Sequence, residues 1–167
     1  MFRFEESIEV LTTPEEALKA VGDFLHRGHF APDSLSDLKI IEPRPTNEIE
    51  QFLPGQKASF KINGIYNEHC IAEVQEWDEA EARILERPVR PLAGERIEWR
   101  LAELMPGTIK ITLTFSAQYS GLNKLTLGRT VHKFWFETMK RLKHYLDDKY
   151  SYAQSHTYAK SDTGSSG

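Results

Sequence analysis

The amino-acid sequence predicts a single α+β domain, in which a curved, seven-stranded antiparallel sheet wraps around a long C-terminal helix in the order β-α-α-β-β-β-β-β-β-α. Three observations predict this fold. Period-two runs separated by short turns fill the middle of the chain, a long amphipathic stretch follows them, and a strand that leads into a helix start precedes them. Strands spaced this closely leave no room for parallel crossovers, so the sheet is expected to be antiparallel.

The first strand is predicted at residues 2–11, where apolar and polar side chains alternate. Glu6 breaks this alternation because it falls on the apolar side, between Phe4 and Ile8. Two interpretations are open. Either a bulge near the strand end turns Glu6 outward, or its carboxylate faces the interior of the protein.

A helix start follows the first strand. Thr13 is the expected N-cap, Pro14 occupies the first helical position, and Glu16 lies three residues beyond the cap. After a bend at Gly28, a second short helix is predicted around residues 29–38.

Six further strands are predicted between these helices and the C-terminal one. The first starts at Leu38, and Pro43 and Pro45 end it or confine it to a sheet edge. The other five are KASFKINGIYN from Lys57, HCIAEVQEW from His69, EARILERPV from Glu81, GERIEWRLAELM from Gly94 and TIKITLTFSAQYS from Thr108. The last of these has the cleanest alternation in the chain.

The C-terminal amphipathic stretch covers residues 125–148 and has no proline, and no glycine after Gly128. At 100° per residue one broad face is apolar, with Phe134 and Phe136 on its flanks, and the opposite face is charged. The apolar positions are Leu127, Val131, Trp135, Met139, Leu142 and Leu146. A face this wide needs a cover, and the apolar side of the sheet is the obvious one.

The length and composition agree with one domain over residues 1–150. A disordered tail is predicted over residues 151–167, which have no apolar period and whose last residues resemble a vector-derived linker. A net charge of −4 with no basic stripe beyond a solvated helix face argues against nucleic acid. The lone Cys70 excludes an internal disulfide and suits a reducing compartment, so the cytoplasm is the expected location. No apolar run is long enough to span a membrane.

The pattern resembles the START-like (SRPBCC) superfamily, whose fold is called helix-grip. The resemblance covers residues 2–148 and rests on the opening strand before TTPEEALKAVGDF, on the central hairpins and on LGRTVHKFWFETMKRLKHYL. The last segment is most similar to the polyketide cyclase/dehydrase and lipid transport branch. The resemblance implies an apolar cavity between sheet and helix that holds lipids, sterols, polyketides or similar molecules. Some members catalyse cyclisation or dehydration there, and many only bind or carry.

Four side chains are the candidates for acid/base chemistry in such a cavity: Glu6, Glu103, His132 and Tyr119. Glu6 and Glu103 share the parity of inward strand positions, and His132 flanks the apolar helix face. The expected ligand-binding residues are Phe60, Tyr66, Trp99, Leu101, Leu113, Phe115, Val131, Trp135, Thr138 and Met139. Core packing is the simpler explanation for most of the aromatic ones.

Three functions are consistent with these residues. The first is binding or carrying of a small hydrophobic ligand in the cavity, and the second is a polyketide cyclase, dehydratase or aromatase that uses the same cavity. The third is a protein-interaction module. The sequence contains none of the motifs for nucleotides, serine hydrolysis or zinc, so no cofactor and no metal are expected. A monomer and a homodimer are both compatible with the sequence.

Overall fold

The computed structural model describes residues 1–41, 56–65, 70–78, 82–90, 95–119 and 121–162. In chain order its elements are β1 (Phe2–Leu11), α1 (Pro14–Gly22), α2 (Phe24–Arg27), β2 (Leu35–Ile40), β3 (Lys57–Ile62), β4 (Cys70–Asp78), β5 (Arg83–Arg90), β6 (Arg96–Met105), β7 (Thr108–Ala117) and α3 (Leu122–Asp162). The predicted fold class and element order are confirmed.

The seven described strands form one antiparallel sheet in the order β1-β7-β6-β5-β4-β3-β2. From β2 to β7, each strand pairs with the next strand in the chain, and β1 pairs with β7 and forms the edge of the sheet opposite β2. The β1–β7 pairing runs without a shift from Phe2 opposite Ala117 to Leu11 opposite Thr108. Glu6 is therefore not on a bulge, and its alternation places its carboxylate on the inner face of the sheet.

The core lies between this inner face and α3, as the two apolar patterns require. On the helix the buried residues include Val131, Trp135, Met139, Leu142 and Leu146, and Phe134 is also buried. Phe136, on the other flank, is half exposed. Gly128 lets α3 approach β1, because a Cβ atom there would lie 2.7 Å from Cε2 of Phe2.

The predicted N-cap of α1 is confirmed, since Thr13 Oγ1 accepts from the amide of Glu16 at 3.3 Å. The second helix is not where the sequence predicts it. It spans Phe24–Arg27, and β2 already starts at Leu35 instead of Leu38. Pro32, which has no N–H to donate to a helix, lies in the segment between them, where its carbonyl accepts a turn hydrogen bond from Leu35. Pro43 and Pro45 lie outside the described residues.

Helix α3 continues through residues 151–162, where the sequence predicts disorder, so that part of the prediction differs from the structure. The first turn after residue 148 is held by the body of the protein, because Lys149 pairs with Glu16 on α1. The hydroxyls of Ser155 and Thr157 then donate to carbonyls one turn earlier. No helix within the described residues combines the length and the hydropathy needed to cross a bilayer.

Candidate functional site

An ion pair lies in the interior between the sheet and the helices. Arg27, the last residue of α2, donates from Nη1 and Nη2 to the two carboxylate oxygens of Glu86 on β5, each at 2.8 Å. Arg27 is 2% exposed and Glu86 is 1% exposed, so the pair is enclosed. The end-on bidentate geometry aligns two charge-assisted hydrogen bonds, which is the arrangement that best offsets the loss of hydration of both ions.

Aromatic rings surround the guanidinium of Arg27. Its central carbon lies 4.9 Å from the ring centroid of Phe24, 5.8 Å from Trp99 and 5.7 Å from Trp135. Trp99 and Trp135 meet edge to face at 5.9 Å, and Trp99 Nε1 donates to Glu86 Oε2 at 3.4 Å. The rings combine an apolar enclosure with electron-rich faces that stabilise the cation.

Two donors at this centre make no hydrogen bond to any described residue: Nε of Arg27 and Nε2 of Gln56, both buried. The amide orientation of Gln56 is fixed by its other atom, because Oε1 accepts from the backbone amide of Phe24 at 3.4 Å and an NH2 group could not. A buried donor left without an acceptor costs about 1–3 kcal/mol. The interior thus offers two hydrogen-bond donors that no described residue accepts from.

A pocket of about 200 Å³ opens beside this interior, between α3 and the start of β2 and end of β3. We call it the α3–β3 pocket. It is lined by Pro32, Ser34, Asn63, Gly64, Ile65, Thr130, Lys133, Phe134 and Glu137. Phe134 is buried and contacts Trp135 edge to face at 5.3 Å. Phe134 therefore lines the α3–β3 pocket and also contacts Trp135, one of the rings around Arg27.

Glu6 and His132, two of the four acid/base candidates, come together at the seam between β1 and α3. Oε1 of Glu6 lies 2.6 Å from Nε2 of His132. The His132 side chain is 46% exposed and that of Glu6 is 24% exposed, and the imidazole stands 4.5 Å from the ring of Phe4. Since a carboxylate only accepts, Nε2 carries the proton and Nδ1 is left as the basic nitrogen of the ring.

Tyr119 lies elsewhere, just past the end of β7, and its hydroxyl donates to Glu95 Oε1. Its ring stacks on Phe2 at 5.6 Å. Glu95 is buried, and it contributes to the environment of Cys70. Burial, with a smaller contribution from the charge of Glu95, raises the pKa of the Cys70 thiol to about 12.

Glu103 is separate from both pairs. It lies opposite Ile109 in the pairing of β6 with β7, and it is exposed. It borders a groove of about 290 Å³ beside the start of α1, with Leu18 and Leu101 among the neighbours. The four acid/base candidates thus occupy three places, and Glu6 with His132 form the pair.

The structure places most of the predicted ligand-binding residues between the sheet and α3. The buried ones are Phe60, Trp99, Leu113, Phe115, Val131, Trp135, Thr138 and Met139. Leu101 is partly buried, and Tyr66 lies outside the described residues. Thr138 donates its hydroxyl to the carbonyl of Phe134 at 2.8 Å, within its own helix.

Sequence reasoning missed Arg27, Glu86, Gln56 and Glu95. A signal was present for Glu86, because it has the same parity as Ile84 in its strand and must face inward if Ile84 does. No comparable signal existed for Arg27 or Gln56. Arg27 follows a histidine at the end of a short helix, where a basic side chain is typically solvated.

Comparison with solved structures agrees with this architecture. KanY, known from an NMR solution structure, matches with a TM-score of 0.66 at 14% identity, over 86% of this chain and 96% of KanY. XoxI from Bacillus cereus matches with a TM-score of 0.65 at 12% identity, over 87% of this chain and 96% of XoxI. BexL, a di-domain ARO/CYC from the BE-7585A biosynthetic pathway, matches with a TM-score of 0.63 at 18% identity, over 86% of this chain and 46% of BexL.

No protein-family model and no curated protein sequence matches the chain. At the identities of the structural matches, the likeness is one of fold. The chain has the helix-grip fold seen in the START-like (SRPBCC) superfamily, and the predicted resemblance is confirmed at that level.

Proposed function

We propose that this protein binds a small, mostly hydrophobic molecule between the inner face of the sheet and α3. The observation that carries the proposal is the α3–β3 pocket. Its wall residue Phe134 contacts Trp135, and the Trp135 ring in turn lies 5.7 Å from the central guanidinium carbon of Arg27. Ligand sites combine apolar and aromatic walls with a few polar groups that fix orientation, and this region has both.

Entry from the α3–β3 pocket would require the buried Phe134 side chain to rotate, because Phe134 lines the pocket. Trp135 is the next ring on that path, since the two rings are in edge-to-face contact. Burial of apolar ligand surface there gains about 25 cal/mol per Å². The rim carries Lys133 and Glu137, whose opposite charges give the opening no strong preference for a charged ligand.

The fold comparison supports a choice of ligands to test first. The name of BexL describes an aromatase/cyclase, and its fold matches this chain over one part of its length. Fused-ring aromatic molecules and polyketide-like precursors are therefore the first ligands to test, and lipids of similar width are the second. Flat rings also suit a site walled by Trp99 and Trp135.

The test is a fluorescence titration with fused-ring probes, which report through quenching of tryptophan emission, to which the buried Trp99 and Trp135 contribute. Thr130 is exposed on the rim of the α3–β3 pocket, and Arg129, exposed as well, is not among the residues that line it. Thr130→Phe should fill the opening and weaken binding at least about tenfold, whereas Arg129→Phe adds the same side chain outside and should leave binding unchanged. Equal probe affinities of the two variants would contradict binding at the α3–β3 pocket.

A second candidate is catalysis of cyclisation or dehydration, and the Glu6–His132 pair at 2.6 Å favours it. With Glu6 accepting from Nε2, Nδ1 of His132 can take a proton from carbon next to a ketone and return it to a leaving hydroxyl. A suitable probe is heptane-2,6-dione, whose intramolecular aldol condensation gives a cyclohexenone and one water. His132→Gln should abolish product above background, and the exposed His144→Gln should not. Equal rates with and without protein would exclude this activity on that probe.

A further inference from the structure

Resting on the proposed function, we infer that the bound molecule is neutral and carries an acceptor oxygen, such as a ketone or quinone carbonyl, that accepts hydrogen bonds from Arg27 Nε and Gln56 Nε2. The juxtaposition behind this inference is two buried donors, on separate elements, that make no hydrogen bond to any described residue. A buried donor that stays unpaired destabilises the protein, and one carbonyl oxygen with two lone pairs can accept from both.

Both donors lie at one residue, Phe24. The central guanidinium carbon of Arg27 is 4.9 Å from the Phe24 ring, and the Gln56 amide is held by the Phe24 backbone at 3.4 Å. The two side chains therefore flank the same aromatic residue from α2 and from the start of β3. An acceptor oxygen placed between these two side chains would meet both donors.

The polar atoms at this centre that have no partner among the described residues are hydrogen-bond donors. Glu86 already accepts three hydrogen bonds, two from Arg27 and one from Trp99. A ligand group that only donates, such as an ammonium, would meet no acceptor that is still fully available among these side chains. The pattern selects a carbonyl or ether oxygen and disfavours an amine.

The charge balance selects a neutral oxygen and disfavours a carboxylate. Arg27 is already neutralised by the bidentate carboxylate of Glu86. A ligand carboxylate would therefore place a second anion beside this pair in a low-dielectric interior. Such a charge is expensive without a cation of its own, whereas a neutral carbonyl adds no net charge.

The experiment compares three probes of nearly equal shape: 9-fluorenone, fluorene and fluorene-9-carboxylate. Affinities are measured with the full chain by tryptophan quenching and checked by calorimetry. We expect 9-fluorenone to bind at least about tenfold tighter than fluorene, because a hydrogen bond from a charged donor is gained, and fluorene-9-carboxylate to bind no tighter than fluorene.

Two variants locate the effect. Gln56→Met keeps the length of the side chain and removes its donor, and Arg27→Met combined with Glu86→Leu removes the other donor without leaving an unpaired buried charge. Each should lower the affinity for 9-fluorenone more than the affinity for fluorene, so that the ratio of the two affinities falls severalfold. Gln118→Met, at an exposed position past β7, is the matched control and should keep the full preference.

The outcomes separate this inference from the proposed function. If 9-fluorenone and fluorene bind equally, or the carboxylate binds best, the inference is overturned and hydrophobic binding stands. If the preference exists but survives both variants, the assignment to Arg27 and Gln56 is overturned. If none of the three probes binds, the proposed function and this inference fail together.

Discussion

Replacing Glu86 by leucine is the perturbation that tests the interior ion pair most directly. The leucine is apolar and of similar volume, so packing against Trp99 is largely kept. What changes is the state of Arg27, which is 2% exposed and would be left as a buried cation with no carboxylate. The Trp99 indole N–H also loses its acceptor, which lies at 3.4 Å.

The expected cost follows from this enclosure. Removal of one partner of a buried ion pair destabilises a protein by about 3–5 kcal/mol, because the other charge stays desolvated and unpaired. Replacing both partners by apolar residues removes that penalty, so Arg27→Met combined with Glu86→Leu should lie within about 2 kcal/mol of wild type. The double variant should therefore be more stable than Glu86→Leu alone, which is the signature of coupling.

Urea denaturation followed by far-ultraviolet circular dichroism measures these differences. At an m value of about 2 kcal/mol/M, the midpoint for Glu86→Leu should fall by roughly 1.5–2.5 M. Arg141→Met is the control, because Arg141 pairs with Asp33 at 3.3 Å with the two side chains 44% and 96% exposed, and its loss should cost less than about 1 kcal/mol. A Glu86→Leu midpoint no lower than that of Arg141→Met would refute the enclosed pair.

Three further outcomes are expected. Gly107→Ala should lower the free energy of unfolding by about 1–2 kcal/mol in urea denaturation, because Gly107 has φ +82° and a new Cβ would lie 2.9 Å from the Tyr150 hydroxyl; increased stability would contradict this. The hydrogen bond from Lys149 holds the pKa of Glu16 below 4.5, so the stabilisation that the ionised Glu16 contributes is present above that pH and is lost as the pH falls. Glu16→Gln should therefore lower Tm slightly at pH 7 but not near pH 2. An equal loss of Tm at both pH values would refute the linkage. With its pKa raised to about 12, Cys70 should resist iodoacetamide at pH 8 in the folded protein and react after unfolding, whereas fast labelling of the native protein would show that the thiol is accessible.

The fold could be predicted from the sequence because two periods with different lengths point to the same interface. The alternation in β7 and the 3.6-residue period of α3 each define one apolar face, and neither can be satisfied by solvent. The ends of the helices and strands could be predicted less well from the sequence. Helix α3 extends to Asp162, beyond the end of its apolar period, and the Lys149–Glu16 pair that ties its extension to α1 is a contact that hydropathy does not record.

The candidate site was predicted in part. The apolar residues between sheet and helix followed from the two periods, and Glu6 and His132 were both among the acid/base candidates that the structure pairs. The pairing itself was out of reach, because it depends on where along β1 the helix crosses. Tyr119 meets Glu95, which the sequence analysis did not consider, since Glu95 precedes β6 and shows no alternation of its own.

Inward carboxylates are the sequence feature that connects both polar centres. A carboxylate on the apolar face of a sheet costs several kcal/mol unless a hydrogen-bond donor meets it, so each one implies a donor side chain, such as that of His or Arg, on an element that packs over that face. Glu6 is met in this way by His132 from α3, and Glu86 by Arg27 from α2. The same requirement could have been applied to β5 before any coordinates. The inward position of Glu86 on β5 was not evident, because Leu85 makes the opposite parity apolar as well and the strand gave no clear inward face. In addition, the short helix that supplies Arg27 was predicted further along the chain than it lies.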